Sequence, residues 1–294
     1  MLRAWLELAR ISNLPTVWTN VAAGWLLMGG GWDARLGWLL LAGSLLYTGG
    51  MILNDAADVK FDREHRRERP IPSGRVRIDV AWIVGLLMLW AGLRVAVSWG
   101  GGANVWTVAA LVVAILFYDL YHKPWSGAVW VMGACRTLLV LMAASALGDP
   151  AAGDGDPAEG AVLRHALGLG AYIVGLTLVA RAESAPGGVS PLARIFARML
   201  LLAPALLALG GVMGAPARLV PMVGLVLLFL VWTEGCLRLI RRGGPAIGRA
   251  VGWLLAGIPL VDALAVGQVS LPLAAGFVAL APLLRLWQRW IAAT

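Results

Sequence analysis

Residues 54–75 read Asn54-Asp55-Ala56-Ala57-Asp58-Val59-Lys60-Phe61-Asp62-Arg63-Glu64-His65-Arg66-Arg67-Glu68-Arg69-Pro70-Ile71-Pro72-Ser73-Gly74-Arg75, a polar run in a chain that is otherwise almost continuously apolar. Asn54, Asp58 and Asp62 recur every fourth residue. On an α-helix each such step advances about 400°, so the three oxygen-bearing side chains form one slowly drifting stripe. Asp55 lies about 100° off it and faces a neighbouring side. Three oxygens on one face suit a hard divalent cation such as Mg²⁺, which keeps several waters and takes one or two carboxylates plus substrate phosphate oxygens. Lys60, Arg63, Arg66, Arg67, Arg69, Arg75 and Arg77 then supply positive charge, and guanidinium forks match phosphate oxygens. A positive-inside loop alone would account for the arginines. It does not account for Asn54, Asp55 and Asp58, which end the apolar run 45–53 where acidic groups oppose a helix macrodipole. A bound metal would compensate them.

The composition, 60% hydrophobic and 14% charged, excludes an ordinary soluble globular chain. Apolar runs broken at charges, Gly and Pro fall at 13–31, 36–55, 78–99, 103–121, 127–147, 163–181, 192–213, 217–240, 247–266 and 270–290. The fold class read from them is all-α: a polytopic transmembrane bundle of nine to ten spans, in one domain over residues 1–294. The N-terminus lacks a short apolar stretch with a small-residue cleavage site, so the first apolar segment is expected to be retained. Cys135 and Cys236 lie within apolar runs as inert thiols. No metal-spaced Cys or His pair indicates zinc, and His65, His122 and His165 are read as surface residues.

The +8 net charge is explained by topology rather than by nucleic acid. With the N-terminus cytoplasmic, only Arg35, Arg94, Arg164 and Arg218 of the 24 Lys and Arg residues fall at the outer ends, and Arg136 lies within a span. The remainder obey the positive-inside rule. That places the loops 55–77, 119–126 and 181–198 together on the cytoplasmic side of the cell (inner) membrane. The longest outer loop, 148–160, is acidic and carries no chemistry.

Asn54, Asp55, Asp58 and Asp62, followed by Arg69, Pro70, Pro72, Ser73 and Gly74, resemble the first aspartate-rich motif of the UbiA superfamily of intramembrane prenyltransferases, of the 4-hydroxybenzoate polyprenyltransferase-like kind. The resemblance implies a bundle around a central cavity open to the cytoplasmic side, and Mg²⁺-dependent transfer of an isoprenyl group from an allylic prenyl diphosphate to a small or lipophilic acceptor. It implies metal ligands at Asn54, Asp58 and Asp62, substrate contacts from Arg69 and Ser73, and diphosphate contacts from Lys123 and Tyr118 in Tyr118-Asp119-Leu120-Tyr121-His122-Lys123. Tyr and Lys there are equally ordinary interface anchors. Arg10 and Asn13 would face the acceptor side.

The chain departs from the pattern where a second aspartate-rich motif is expected, since no Asp occurs between Asp156 and Asp262. Arg181 and Glu183 stand there instead. Two readings are open: Glu183 ligating metal with Arg181 as a catalytic phosphate contact, or a helix-end ion pair. Arg136, Glu234 and Asp262 are ionisable residues inside spans, where such groups face a cavity or one another. Arg136, roughly 13 Å deep, pairs with Glu234 or Asp262, or else binds the acceptor. The catalytic set expected is Asp58, Asp62, Lys123 and Arg181. The partners expected are a prenyl diphosphate, an unidentified acceptor and membrane lipid. Rival readings are an intramembrane terpene cyclase and a non-catalytic lipid-binding or transport protein.

Overall fold

The protein is seen in a computed structural model that describes residues 2–123, 125–148, 156–183, 190–213, 215–242 and 245–288. A short α1 (Leu2–Leu8) and a single 3-10 turn (Ile11–Asn13) lead into α2 (Leu14–Leu27) and the long α3 (Ala34–Ala57). Then come α4 (Val59–His65), α5 (Ile78–Val97), α6 (Val105–Tyr121), α7 (Ala128–Ala144) and α8 (Pro157–Glu183). The chain continues with α9 (Pro191–Val212), α10 (Pro216–Ile240), α11 (Pro245–Ala256), α12 (Ile258–Val266) and α13 (Leu271–Trp287).

The helix starts are written in the local sequence. The Asp33 carboxylate accepts from the Leu36 N–H at 3.2 Å, and the Asn104 side chain accepts from those of Trp106 and Thr107. Ser190 and Ser270 cap α9 and α13, each with a proline in the first turn. All satisfy donors that a helix N-terminus otherwise leaves bare.

Each apolar run of the sequence holds a helix. Six helical stretches among the described residues are long and apolar enough to cross a membrane, and α6, α7 and α13 are apolar but shorter. The run 247–266 forms one candidate span, Ala246–Val266, interrupted at Gly257 just before Pro259, where α11 gives way to α12. A Cβ on Gly257 would stand 2.7 Å from the Trp232 indole nitrogen, so glycine is required for the close approach.

The helices pack through small residues, as expected where lipid removes the hydrophobic drive between helices. A Cβ at Gly49 of α3 would stand 2.9 Å from the Gly85 carbonyl oxygen of α5, and one at Gly92 would meet Leu46. Likewise Gly24 of α2 presses on the Val140 carbonyl of α7. Trp25, Leu39 and Met142 fill the core of the first half, and Tyr172, Leu201 and Phe229 that of the second. Large apolar side chains such as Ile83, Trp106, Val220 and Val231 point outward, as a lipid-facing surface requires.

On one end, α1 lies against the loop after α4. Ala4 and Leu8 pack with Ile52, Val59, Ile71 and Val76, and the Glu7 carboxylate receives Arg75 at 2.9 Å. This cap sits over the acidic stripe.

Replacing Gly49 by Val should overpack the α3–α5 seam and destabilise the protein by about 1–3 kcal/mol. Thermal unfolding in detergent should show a clear loss for Gly49→Val and none for Gly224→Ala, where an added methyl meets only open space.

Candidate active site

The acidic stripe is not carried by one straight helix. α3 ends at Ala57, Asp58 serves as the junction with ψ near −3°, and α4 begins at Val59. The backbone still bonds Asp58 N–H to Asn54 O and Asp62 N–H to Asp58 O, both at 3.0 Å. The turn-to-turn spacing therefore survives while the acidic side chains diverge onto different partners.

Asn54 donates to an Asp119 carboxylate oxygen at 3.2 Å. Asp55 receives Arg10 at 3.3 Å and Arg69 at 3.1 Å. Asp58 receives Lys123 at 2.7 Å on one oxygen and faces His122 at 3.4 Å on the other. Asp62, almost fully buried, receives Arg69 at 3.0 Å. Asn54, Asp55, Asp62 and Asp119 are all buried, so each carboxylate has exchanged water for a cation, an amide or both. Such pairing offsets part of the cost of burying an acid.

The cations are held as deliberately. Arg69 projects from a loop whose turn is closed by Ser73, the hydroxyl of which donates to the Arg69 carbonyl at 2.7 Å. Gly74 follows with φ +76°, a conformation that costs a side-chain-bearing residue energy. Ser73 is thus occupied within the loop and builds the platform for Arg69. Arg10 has φ +44° and ψ +49°, the left-handed region that non-glycine residues rarely adopt, and from there its guanidinium reaches Asp55. Arg181, at the end of α8, donates to the carbonyls of Ser126 at 2.7 Å and His122 at 3.1 Å. It ties down the α6–α7 connection that presents Lys123. The Lys123 ammonium also lies 4.0 Å from the Phe61 ring centroid, and Tyr118 stacks on His122 at 4.9 Å. Glu183 closes α8, and its side chain lies outside the described residues.

Beside this charged cluster opens a cavity of about 80 Å³. Tyr118 and Asp119 stand at its charged end, and Met51, Tyr47, Met132 and Arg136 are among the side chains along it. Asn13 hydrogen-bonds Tyr47. Arg136 donates to the Asn20 side-chain oxygen at 2.7 Å. The Asn20 amide donates to both oxygens of Asp262 at 3.0 and 2.8 Å, and His165 reaches Asp262 at 3.1 Å. Arg136 is therefore linked to Asp262 only through Asn20. Glu234 is elsewhere, beside Arg198, Arg238 and Arg241. Two of the three histidines expected at the surface are not there: His165 is buried and His122 is half-buried against Asp58, while His65 is exposed.

Among the described residues no three His, Cys, Asp or Glu side chains converge closely enough to hold a metal by themselves. Two buried carboxylate oxygens, Asp62 Oδ1 and Asp119 Oδ2, nevertheless have no hydrogen-bond donor. Mg²⁺ characteristically takes one or two such oxygens and completes its shell with water and phosphate, so the donor set fits that ion. Asp119, His122, Asn20 and Tyr47 carried no assigned role in the sequence. Asp119 had a signal, an acid closing an apolar helix, of the same kind that exposes Asn54.

The local fields differ along the stripe. Burial alone would raise the Asp58 carboxyl, but hydrogen bonds from His122 and Lys123 and their charges hold it below the ordinary carboxylate value. Burial raises Asp62, and the neighbouring charges of Asp55 and Asp58 add to that against the opposing pull of Arg69. Asp62 therefore accepts a proton first as the pH falls, and the Asp58 pair persists to lower pH.

Known proteins resemble the chain in sequence and in fold. The UbiA prenyltransferase family model matches residues 14–251. A digeranylgeranylglyceryl phosphate synthase of Sulfolobus acidocaldarius is 29% identical over 118 residues, 40% of this chain and 42% of that protein. A 4-hydroxybenzoate octaprenyltransferase of Paracidovorax citrulli is 30% identical over 155 residues, 50% of this chain and 52% of that protein. The chain thus spans about half the length of the curated relatives it matches. Among solved structures, one of a digeranylgeranylglyceryl phosphate synthase in membranes superposes with a TM-score of 0.65 at 17% identity, covering 91% of this chain and 98% of the other. A UbiA homologue from Aeropyrum pernix K1 superposes with 0.60 at 16% identity, covering 89% and 98%. These likenesses establish the fold.

A depressed carboxyl stabilises the folded state above its unfolded pKa and loses that contribution as the pH falls through the folded value. Asp58→Asn should therefore melt below wild type at neutral pH, with the gap closing on acidification. Melting curves in detergent from pH 7 to pH 3 test this, and a gap that is constant across the range would remove the Lys123–Asp58 pair from the stability of the site.

Proposed function

The chain belongs to the UbiA prenyltransferase family, and on that premise we propose that it moves an isoprenyl group from an allylic prenyl diphosphate to a lipophilic acceptor within the membrane. The observation that carries the proposal is the cluster of Arg10, Arg69 and Lys123, each paired with a carboxylate at the end of α3 or on α4, where Asn54 of the same stretch holds Asp119 on the wall of a largely apolar cavity.

In this reading Arg69 and Lys123 receive the diphosphate. Asp55, Asp58 and Asp62 hold their cationic groups in place before substrate arrives, so little reorganisation is needed as charge develops on the departing oxygen. Arg10 adds a third positive group on the same side, and Arg181 fixes the Lys123 loop. The bond between the allylic carbon and the diphosphate oxygen breaks, the acceptor supplies the electron pair for the new bond, and the acceptor's proton is released. Tyr118 and the apolar side chains below it exclude water from the allylic cation. Asp58 and Asp62, with Asn54 and the added Asp119, are the residues proposed to hold Mg²⁺. The ion, when bound, would neutralise charge on the leaving diphosphate.

The bundle is proposed to cross the cell (inner) membrane nine to ten times, with its N-terminus and the site loops cytoplasmic. The arginine distribution supports that orientation.

Purified protein incubated with geranylgeranyl diphosphate and a membrane lipid extract should release diphosphate in a Mg²⁺-dependent manner. Asp58→Asn and Asp62→Asn should each lower the rate at least about a hundredfold, on the scale of losing one charge-stabilising group in a catalytic site, without preventing insertion. Release that is independent of the extract would indicate cyclisation or hydrolysis in place of transfer.

Arg181→Ala removes two hydrogen bonds of about 1 kcal/mol each. It should raise KM for the diphosphate roughly tenfold with a smaller change in kcat. An unchanged KM would separate Arg181 from the Lys123 loop.

A further inference from the structure

The cavity's far end holds a charge that diphosphate binding does not use. Arg136 sits midway along α7 and lines the cavity. Only one of the five N–H donors of the guanidinium has an acceptor among the described residues, the Asn20 oxygen at 2.7 Å. Tyr47 lies beside it, its ring centroid 5.5 Å from the guanidinium carbon. Behind Asn20 stands Asp262, wholly buried and shared with His165. Four helices, α7, α2, α12 and α8, are thus joined to hold one guanidinium against an otherwise apolar wall. Asn20 keeps the compensating carboxylate one residue away, and so leaves the Arg136 fork open to the cavity.

Distances along α3 set the scale. Tyr47 beside Arg136 and Asn54 beside Asp119 are seven residues apart, about 10 Å along the helix axis. The space between Arg136 and the charged mouth therefore admits a compact molecule. A hydrocarbon tail there would bury the unpaired donors against methylenes at considerable cost. A carboxylate or phosphate oxygen pair matches the fork.

We infer that Arg136 is the acceptor-selecting residue: the acceptor is a compact apolar or aromatic molecule carrying an oxyanionic head, seated on Arg136 with its nucleophilic end directed towards Asp119 and the diphosphate. Asn20 and Asp262 are positioning residues that act through Arg136. The inference rests on the transfer reading for the word acceptor, while the oxyanion site itself does not.

Isothermal titration of the purified full chain in detergent with 4-hydroxybenzoate, phenyl phosphate and the neutral 4-hydroxybenzamide tests it. Wild type should bind at least one of the two anions ten times or more tightly than the amide, and which anion binds better identifies the head group as carboxylate or phosphate. Arg136→Gln should abolish the preference, and Arg136→Lys should keep part of it. Geranylgeranyl diphosphate should titrate equally into all three proteins, which also establishes that the variants are folded. Equal affinity of acid and amide for wild type, no binding of either anion, or a preference that survives in Arg136→Gln would overturn the inference. So would a selective loss of geranylgeranyl diphosphate binding in Arg136→Gln, since the guanidinium would then serve the donor. If the anion preference holds but extract-dependent transfer fails, the oxyanion site stands and the transfer reading falls.

Discussion

A carboxylate withdrawn from water inside an apolar bundle has to be met by a cation or by polar donors, and most of this structure follows from that requirement. Asp55, Asp58, Asp62 and Asp119 cluster where α3, α4 and α6 meet, beneath the cap formed by α1 and the Arg69 loop. Leaving any of them unpaired would cost several kcal/mol. The chain answers with Arg10, Arg69 and Lys123 from three separate segments, and those segments are then forced together. The left-handed backbone at Arg10 is strain of the kind that survives only where surrounding contacts over-determine it.

The same constraint makes the site a prepared receptor for negative charge. Cations held by carboxylates stand in fixed places and, in the proposed reading, keep donors that a phosphate can reach. Arg181 and Ser73 act at one remove. One pins the carbonyls of the Lys123 loop and the other closes the turn that carries Arg69. Each thereby sets where the neighbouring cation stands.

A second buried charge system lies deeper and obeys the rule in another way. Asp262 is answered by Asn20 and His165, and Arg136 by Asn20. The amide between opposite charges keeps them apart while bonding to each. The small-residue seam at Gly24 brings α2 and α7, which carry Asn20 and Arg136, close together.

The helical bundle could be read directly from the sequence, because apolar runs of membrane length leave few alternatives for a backbone that must satisfy its own hydrogen bonds. So could the acidic stripe and its arginines, because period-four spacing survives the bend at Asp58. The residues 54–75 alone pointed to phosphate chemistry. What remained hidden were partners distant in sequence. Asn20 meets Asp262 across 242 positions and Arg136 meets Asn20 across 116, and nothing local to any of them marks the others. The close approach of Trp232 to Gly257 is likewise a contact between distant positions. Composition and spacing determined which groups must be compensated, since desolvation depends on residue type and on its place in an apolar run. Only the tertiary structure decided which cation compensates which acid and which guanidinium is left facing the cavity, because that depends on the packing of helices far apart in the chain.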